Sequence, residues 1–368
     1  MIRATMDGMN DNAPSTGISW SVDTGTGIIT LDRAKALNAL NHEMINAIAQ
    51  ALDEFRQDDS VERVFLRSSV EKAYCSGGDV RSVRESDLTG DFGPGDQLFA
   101  DEYDMNSALA DFPKPTIVLV NGITMGGGLG VSAHADRRVI TPRTWQSMPE
   151  MAIGFVTDVG ISHAFTHLPN VPEESRTAVG LFLATTAYRL TPDDLLWSGL
   201  ATHLVQDAAA FDGAVRAGDT FEDALAAASG EESQDTATDH DAVAERSVLA
   251  RNLTWITDTF AGDDWAAIAE RLGNDSSNFA GEVRDMLAPA NPLSLVAATA
   301  LLNYSAGVNL RAALDAELAM GKLMRRQPNF AEGVRAVLVD KDRDAHFSPA
   351  KLSEVTAAQV EEIRSALA

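Results

Sequence analysis

Pro115-Thr-Ile-Val-Leu-Val120 runs directly into Asn121-Gly-Ile-Thr-Met-Gly-Gly-Gly-Leu-Gly130, and Met148-Pro-Glu150 and Thr157-Asp-Val-Gly160 follow. A β-branched, apolar run that ends in three consecutive glycines lets the chain leave a buried strand, turn sharply and open a helix with bare N–H groups. Such a place suits a developing negative charge. The same order of strand, glycine turn and helix occurs upstream, where Val61 to Arg67 precedes Tyr74-Cys-Ser-Gly-Gly-Asp79 and a helix expected from Val80. Repeated strand–helix units put roughly the first 200 residues in the α/β class.

Outward from these turns, Ile18 to Val22 and Gly27 to Leu31 flank Asp23-Thr-Gly-Thr-Gly27, a hairpin signal. Asn41 stands as an N-cap ahead of Met44, Ile45, Ile48, Leu52 and Phe55, which share one helical face. Gln97 to Phe112 is amphipathic and stops at Pro113, which cannot continue a helix. Beyond Val171 the pattern is mostly helical: Thr191-Pro-Asp-Asp starts one helix, Ala201 to Val205 suggests a last short strand, and Asn291-Pro292 is an N-cap and N1 pair. Further helices are expected over Trp265 to Arg271, Phe279 to Leu287, Pro292 to Asn303 and Leu310 to Arg325. Asp207 to Glu245 differs in character, because acids dominate and Arg216 is its single Lys or Arg, so it is expected as a solvated helical or partly disordered excursion. Four regions result: a flexible tail over 1–17, a catalytic core over 18–206, the acidic segment over 207–245 and an α-helical region over 246–368.

Composition narrows the function. With 29 Lys and Arg against 54 Asp and Glu, the net charge of −25 disfavours a nucleic-acid or anionic-membrane surface. Cys75 is the one cysteine, which excludes an intramolecular disulfide and accords with a reducing cytoplasm. The opening residues carry Asp7 and Asp11 and lack the apolar core of a signal peptide. No uncharged apolar run reaches the ~20 residues of a membrane helix.

The glycine turns exclude some chemistries. No Lys-Ser or Lys-Thr follows either cluster, so neither is a phosphate loop, and Val131 stands where a dinucleotide fingerprint has its third glycine. Taken singly, each turn is structural as readily as functional. If the two converge, one N–H from each can grip a single carbonyl oxygen and stabilise the oxyanion of acyl transfer or enolisation. Glu150, set in apolar sequence, is then the candidate base or nucleophile with a raised pKa, and Asp158 its candidate partner; each could equally cap a helix. His163 and His167 have the i, i+4 spacing of metal ligands, but Ala164 replaces the glutamate of the zinc-protease pattern, so no metal is expected. The Gly-x-Ser-x-Gly elbow of a serine hydrolase is absent.

Together these residues resemble the crotonase (enoyl-CoA hydratase/isomerase) superfamily and, within it, the 3-hydroxyisobutyryl-CoA hydrolase branch. The resemblance rests on Leu31 to Leu40, Tyr74 to Val80, Asn121 to Gly128 and Met148 to Glu150, and for the branch on Glu102-Tyr103, Gly154 to Gly160 and Asn329 to Asp342. It implies a spiral of repeated ββα units with an α-helical C-terminal region, and an oxyanion hole made by the N–H groups of Gly78 and Gly127. It further implies Glu150 as the catalytic carboxylate, Asp158 as its partner and Glu102 at the acyl end of the substrate. Coenzyme A, entering as part of the substrate rather than as a cofactor, would lie along the backbone of Lys72, Ala73, Tyr74, Cys75 and Ser76, with a basic side chain such as Arg33 or Lys35 at the nucleotide. Ala34 replaces the commoner proline of the early motif. Similar hydratases carry a glutamate where this chain has Gly130, and hydration needs two acid–base groups, so thioester hydrolysis is the expected activity. Hydratase or isomerase chemistry, or non-catalytic acyl-CoA binding, are the alternatives. The partners expected are an acyl-CoA substrate and further copies of the chain.

Overall fold

The computed structural model of the chain describes residues 16–229 and 240–368. Most of the tail expected over 1–17 and part of the acidic segment, 230–239, lie outside the described residues. Strands β1 (Ile18–Asp23) and β2 (Thr26–Leu31) form the hairpin. Thr24 and Gly25 at its tip both take positive φ, which a two-residue turn between twisted strands requires. Helix α1 (His42–Gln57) starts where Asn41 accepts a hydrogen bond from the Met44 N–H. It buries Met44, Ile45, Ile48, Leu52 and Phe55 on the face their spacing defines.

Three units then repeat one step. β3 (Arg63–Ser68), β5 (Thr116–Val120) and β7 (Arg137–Ile140) join the large sheet, and each is followed by a short strand of a second sheet, β4 (Ala73–Cys75), β6 (Ile123–Met125) and β8 (Trp145–Ser147). The large sheet, completed by β9 (His203–Leu204), runs in the order β1-β2-β3-β5-β7-β9, parallel except for the β1–β2 pair. The small parallel sheet runs β4-β6-β8, so the ends of β4 and β6 emerge side by side. Helices α2 (Val80–Leu88) and α4 (Gly127–Gly130) follow the first two short strands, with α3 (Gly93–Ala110) between. A 3-10 turn, Glu150–Ile153, follows the third. This is the spiral of ββα units, and the long helices of the C-terminal region pack against it in one continuous core.

The acidic segment is helical, one of the two forms expected of it, but one face of it is buried rather than solvated. After α5 (Ile161–Thr166), α6 (Glu173–Thr186) and α7 (Pro192–Ser198), its residues up to Ser229 form α8 (Ala208–Ala217) and α9 (Phe221–Ala228), and its last residues enter the helix His240–Arg246. Phe211 and Val215, and Ala224 and Ala228, fall four apart on inner faces and bury against Ile28, Phe65, Ile117, Leu119 and Val139, a second core on the outer face of the large sheet. The acids crowd the water side, and Asp207 and Thr220 cap the two helices. Composition averages over both faces and hid the inner one.

In the C-terminal region the helix Leu310–Arg325 reaches back to the core. The fully buried Arg325 guanidinium pairs with Asp87 of α2 and, at 2.8 Å, with Asp96 of α3. Among the described residues no single helix is long and apolar enough to cross a membrane.

Candidate active site

Because β4 and β6 are parallel neighbours, the turns that leave them touch. A Cβ on Gly128 would lie 2.5 Å from the Cys75 carbonyl oxygen, and one on Gly127 would lie 3.4 Å from the Gly78 nitrogen. Only glycine allows that approach. Gly126 turns the chain at φ +48°, ψ −123°, a conformation side chains disfavour. Among the described residues the Gly78 N–H has no backbone or side-chain acceptor. The Gly127 N–H opens a helical turn, where no preceding helical carbonyl serves it. The two glycine turns thus meet, the condition the sequence reading left open.

Three carboxylates surround them. Glu150 begins the 3-10 turn after β8, and its Oε1 lies 3.0 Å from where a Gly126 Cβ would be. Glu102, on α3, brings Oε1 to 2.6 Å from the equivalent point on Gly127. Asp158 accepts a 2.7 Å hydrogen bond from the Tyr103 hydroxyl. Side-chain burial is nearly complete, with Glu102, Glu150 and Asp158 2%, 6% and 5% exposed, so water is too scarce to solvate their charges. Burial raises all three. Glu102 is pushed up to about 8 by burial and then by the Asp158 charge. Asp158 is pushed up to about 7 by burial, although the Tyr103 hydroxyl pulls the other way. Glu150 is raised by burial first and by its repulsion with Asp158 second. Glu102 Oε1 and Glu150 Oε2 have no hydrogen-bond partner among the described residues. Unpartnered buried carboxylate oxygens beside two free N–H donors are equipped to act on a carbonyl group.

The segment that carries Asp158 is clamped from both sides. Val159 sits at φ +56°, strained for a β-branched residue, and its carbonyl is bonded by His134 Nε2 at 2.8 Å. Glu317, from the helix Leu310–Arg325, accepts from the Gly160 N–H at 2.7 Å and the Ser162 N–H at 3.1 Å. Burial pushes Glu317 up to about 8.

The expected coenzyme A edge divides. Ala73, Tyr74 and Cys75 are buried: the Tyr74 hydroxyl donates to Val131 O, and the Cys75 thiol to Asn38 O. Ser76 is tied by its N–H to Leu37 O and by its hydroxyl to Ala36 O. These side chains hold the turn. Arg33 donates to Ala39 O at 2.8 Å and pairs with Asp79 at 3.2 Å, so its guanidinium braces the first glycine turn. Lys35 and Lys72 are exposed beside it. His163 and His167 stack ring on ring with centroids 3.9 Å apart. Asn106, His134 and Glu317 join the site without having been singled out in the sequence, while Tyr103, marked there only beside Glu102, gains its contact with Asp158. Asn106 could have been found, since it follows Glu102 by four residues on the same helical face. Glu317 is remote in sequence and gave no signal.

The enoyl-CoA hydratase/isomerase family matches residues 26–363. The 3-hydroxyisobutyryl-CoA hydrolase of Xenopus laevis is 35% identical over 338 residues, covering 90% of this chain and 84% of the frog protein. Its human counterpart is 33% identical over 335 residues, with the same coverage of 90% and 84%. Both are named as mitochondrial, which departs from the cytoplasmic expectation. Among solved structures, a carnitinyl-CoA dehydratase from Mycobacterium thermoresistibile superposes with a TM-score of 0.83 at 32% identity, covering 94% of this chain and 96% of that one. An enoyl-CoA hydratase from Rhodobacter sphaeroides gives 0.82 at 31% identity, covering 95% and 97%. With the ββα spiral, the paired glycine turns and these full-length likenesses in hand, the chain belongs to the crotonase (enoyl-CoA hydratase/isomerase) family.

Proposed function

We propose that this chain hydrolyses a short 3-hydroxyacyl-CoA thioester, 3-hydroxyisobutyryl-CoA foremost, releasing the hydroxy acid and free coenzyme A in valine catabolism. One observation carries the reading: Glu150 stands beside the paired N–H donors, while the position at which similar hydratases keep their other acid is Gly130. A side chain there would meet Val159 Cβ at 2.7 Å and the Asn106 amide at 3.0 and 3.1 Å. The space for the missing acid is filled.

In this mechanism the thioester carbonyl oxygen sits between the Gly78 and Gly127 N–H groups. A Glu150 carboxylate oxygen attacks the carbonyl carbon, the tetrahedral oxyanion collapses, and the C–S electron pair leaves with the coenzyme A sulfur. Water then adds to the Glu150 Cδ of the resulting mixed anhydride, giving its proton to Asp158, and the Cδ–O bond breaks, so that the acid leaves with an original Glu150 oxygen and the water oxygen stays in Glu150. The competing course keeps Glu150 as general base for direct attack by water. After one turnover in labelled water, label in Glu150 supports the anhydride, and an unlabelled enzyme sinks it. Water is the only co-reactant in either course, so the reading calls for no cofactor or metal, and Lys35 and Lys72 are its cations for the nucleotide. An aqueous compartment holding acyl-CoA, the cytoplasm or its mitochondrial counterpart, suits it, as does association into homo-oligomers.

The printed names of the two solved relatives favour a second reading, dehydration or hydration on the same fold. A panel of 3-hydroxyacyl and enoyl thioesters, followed for free thiol and for loss of enoyl absorbance, separates the two. Thiol release from 3-hydroxyisobutyryl-CoA is expected; enoyl hydration without thiol release would overturn the proposal, and tight binding without turnover would favour a scaffold.

A further inference from the structure

Helix α3 carries a second buried polar group beside the glycine turn that follows β6, and the mechanism above leaves it unused. Asn106 is fully buried, and both its Oδ1 and its Nδ2 lack a hydrogen-bond partner among the described residues. It lies one helical turn beyond Glu102. The two side chains meet successive points of α4, Glu102 against Gly127 and the Asn106 amide against Gly130. Three residues of helix put those points about 4.5 Å apart.

A buried amide with neither its donor nor its acceptor served is destabilising, and a leucine of the same shape would fill the space without that penalty. What would satisfy both halves of the amide is a group that donates and accepts at once. An alcohol does so; an alkyl or enoyl chain offers neither, and a carbonyl or carboxylate serves only the Nδ2 half. In a 3-hydroxyacyl thioester the hydroxyl oxygen is two carbons beyond the carbonyl carbon. With the thioester carbonyl at the Gly127 N–H, that reach matches the step along α4 to Asn106.

We infer that Asn106 is the specificity-determining residue for the acyl group, its amide accepting the proton of the substrate 3-hydroxyl at Oδ1 and donating to the same oxygen from Nδ2. The assignment deepens the thioesterase reading and rests on it only for the identity of the acyl chain. Asn106 therefore selects hydroxylated over plain short acyl groups. It takes no part in carbonyl attack, which belongs to Glu150.

The test uses non-hydrolysable analogues in which a methylene replaces the thioester sulfur, one carrying the 3-hydroxyisobutyryl group and one the isobutyryl group, with binding to the full chain measured by calorimetry. Wild type is expected to bind the hydroxylated analogue at least tenfold more tightly, since a site built to hydrogen-bond a hydroxyl discriminates strongly against its absence. In Asn106→Leu the two affinities are expected to converge within about twofold, the isobutyryl analogue and free coenzyme A being unchanged. An unaltered ratio, or parallel loss of both analogues, overturns the inference. Asn106→Ala, which removes both halves of the amide, provides the same comparison if the leucine variant does not fold. A ratio that collapses in a protein releasing no thiol from true thioesters supports the hydroxyl subsite and overturns the thioesterase reading alone.

Discussion

Restoring a side chain at position 130 is the sharpest perturbation the site offers, because it tests geometry and electrostatics separately. In Gly130→Gln the new Cβ lies 2.7 Å from Val159 Cβ and about as close to the Asn106 amide as a hydrogen bond, at 3.0 and 3.1 Å. Val159 is already strained at φ +56° and clamped by His134, so it has little room to yield. The overpacking cost belongs at the upper end of about 1–3 kcal/mol. Gly130→Glu has the same shape but adds a fourth acid to a chamber where Glu102 already holds its proton up to about 8. Held neutral at pH 7.5 against an unfolded pKa of ~4.3, the new carboxyl costs a further ~4 kcal/mol, at 1.36 kcal/mol per unit; at pH 5 that penalty is only ~1 kcal/mol. Urea unfolding of both variants should therefore show a gap of ~1 kcal/mol at pH 5 that widens to ~4 kcal/mol at pH 7.5, with thiol release reduced in each and no enoyl hydration gained. A Gly130→Glu protein as stable as wild type at pH 7.5, and hydrating an enoyl thioester, would refute this account of the missing acid.

Other outcomes follow from the same contacts. Tyr103→Phe removes the hydroxyl that lowers Asp158, so the acid limb of the kcat/KM profile should move to higher pH by roughly one unit, against no movement if that bond is idle. Glu102 and Glu317 are raised from 4.5 to about 8, so between those values the folded chain binds more protons than the unfolded one and stability falls as pH rises. Urea midpoints compared at pH 5 and pH 8 should drop, and Glu317→Gln should reduce the drop; a midpoint that rises with pH contradicts the burial of these acids. Phe211→Ala should cost about 3–5 kcal/mol by urea unfolding, whereas a solvated acidic excursion would lose almost nothing.

Much of this architecture was legible in the chain because its signals are local. The hairpin followed from Thr24-Gly25, α1 from Asn41 and its apolar face, and the site from two glycine turns that strand adjacency brings together. The amphipathic pattern shows only part of its helix: α3 begins at Gly93, with Pro94 in its first turn, ahead of Gln97. The strands β4, β6 and β8 are too short for a period to show, although they place Gly78, Gly127 and Glu150 side by side. Acidity masked the inner faces of α8 and α9. Glu317 and His134 act on the Asp158 segment from elements distant in sequence, where no spacing rule reaches. Arg33 matches the charge expected at a nucleotide, and an acid equally visible in the chain, Asp79, pairs with it in space.

The claim at the centre is that Glu150, beside the Gly78 and Gly127 N–H groups, breaks a thioester. Single-turnover release of free thiol from 3-hydroxyisobutyryl-CoA, with wild type and Glu150→Gln compared at matched folding, tests it most directly. Loss of the reacting carboxylate should slow release by about a thousandfold or more while binding persists. A glutamine variant that releases thiol within tenfold of wild type would contradict the account.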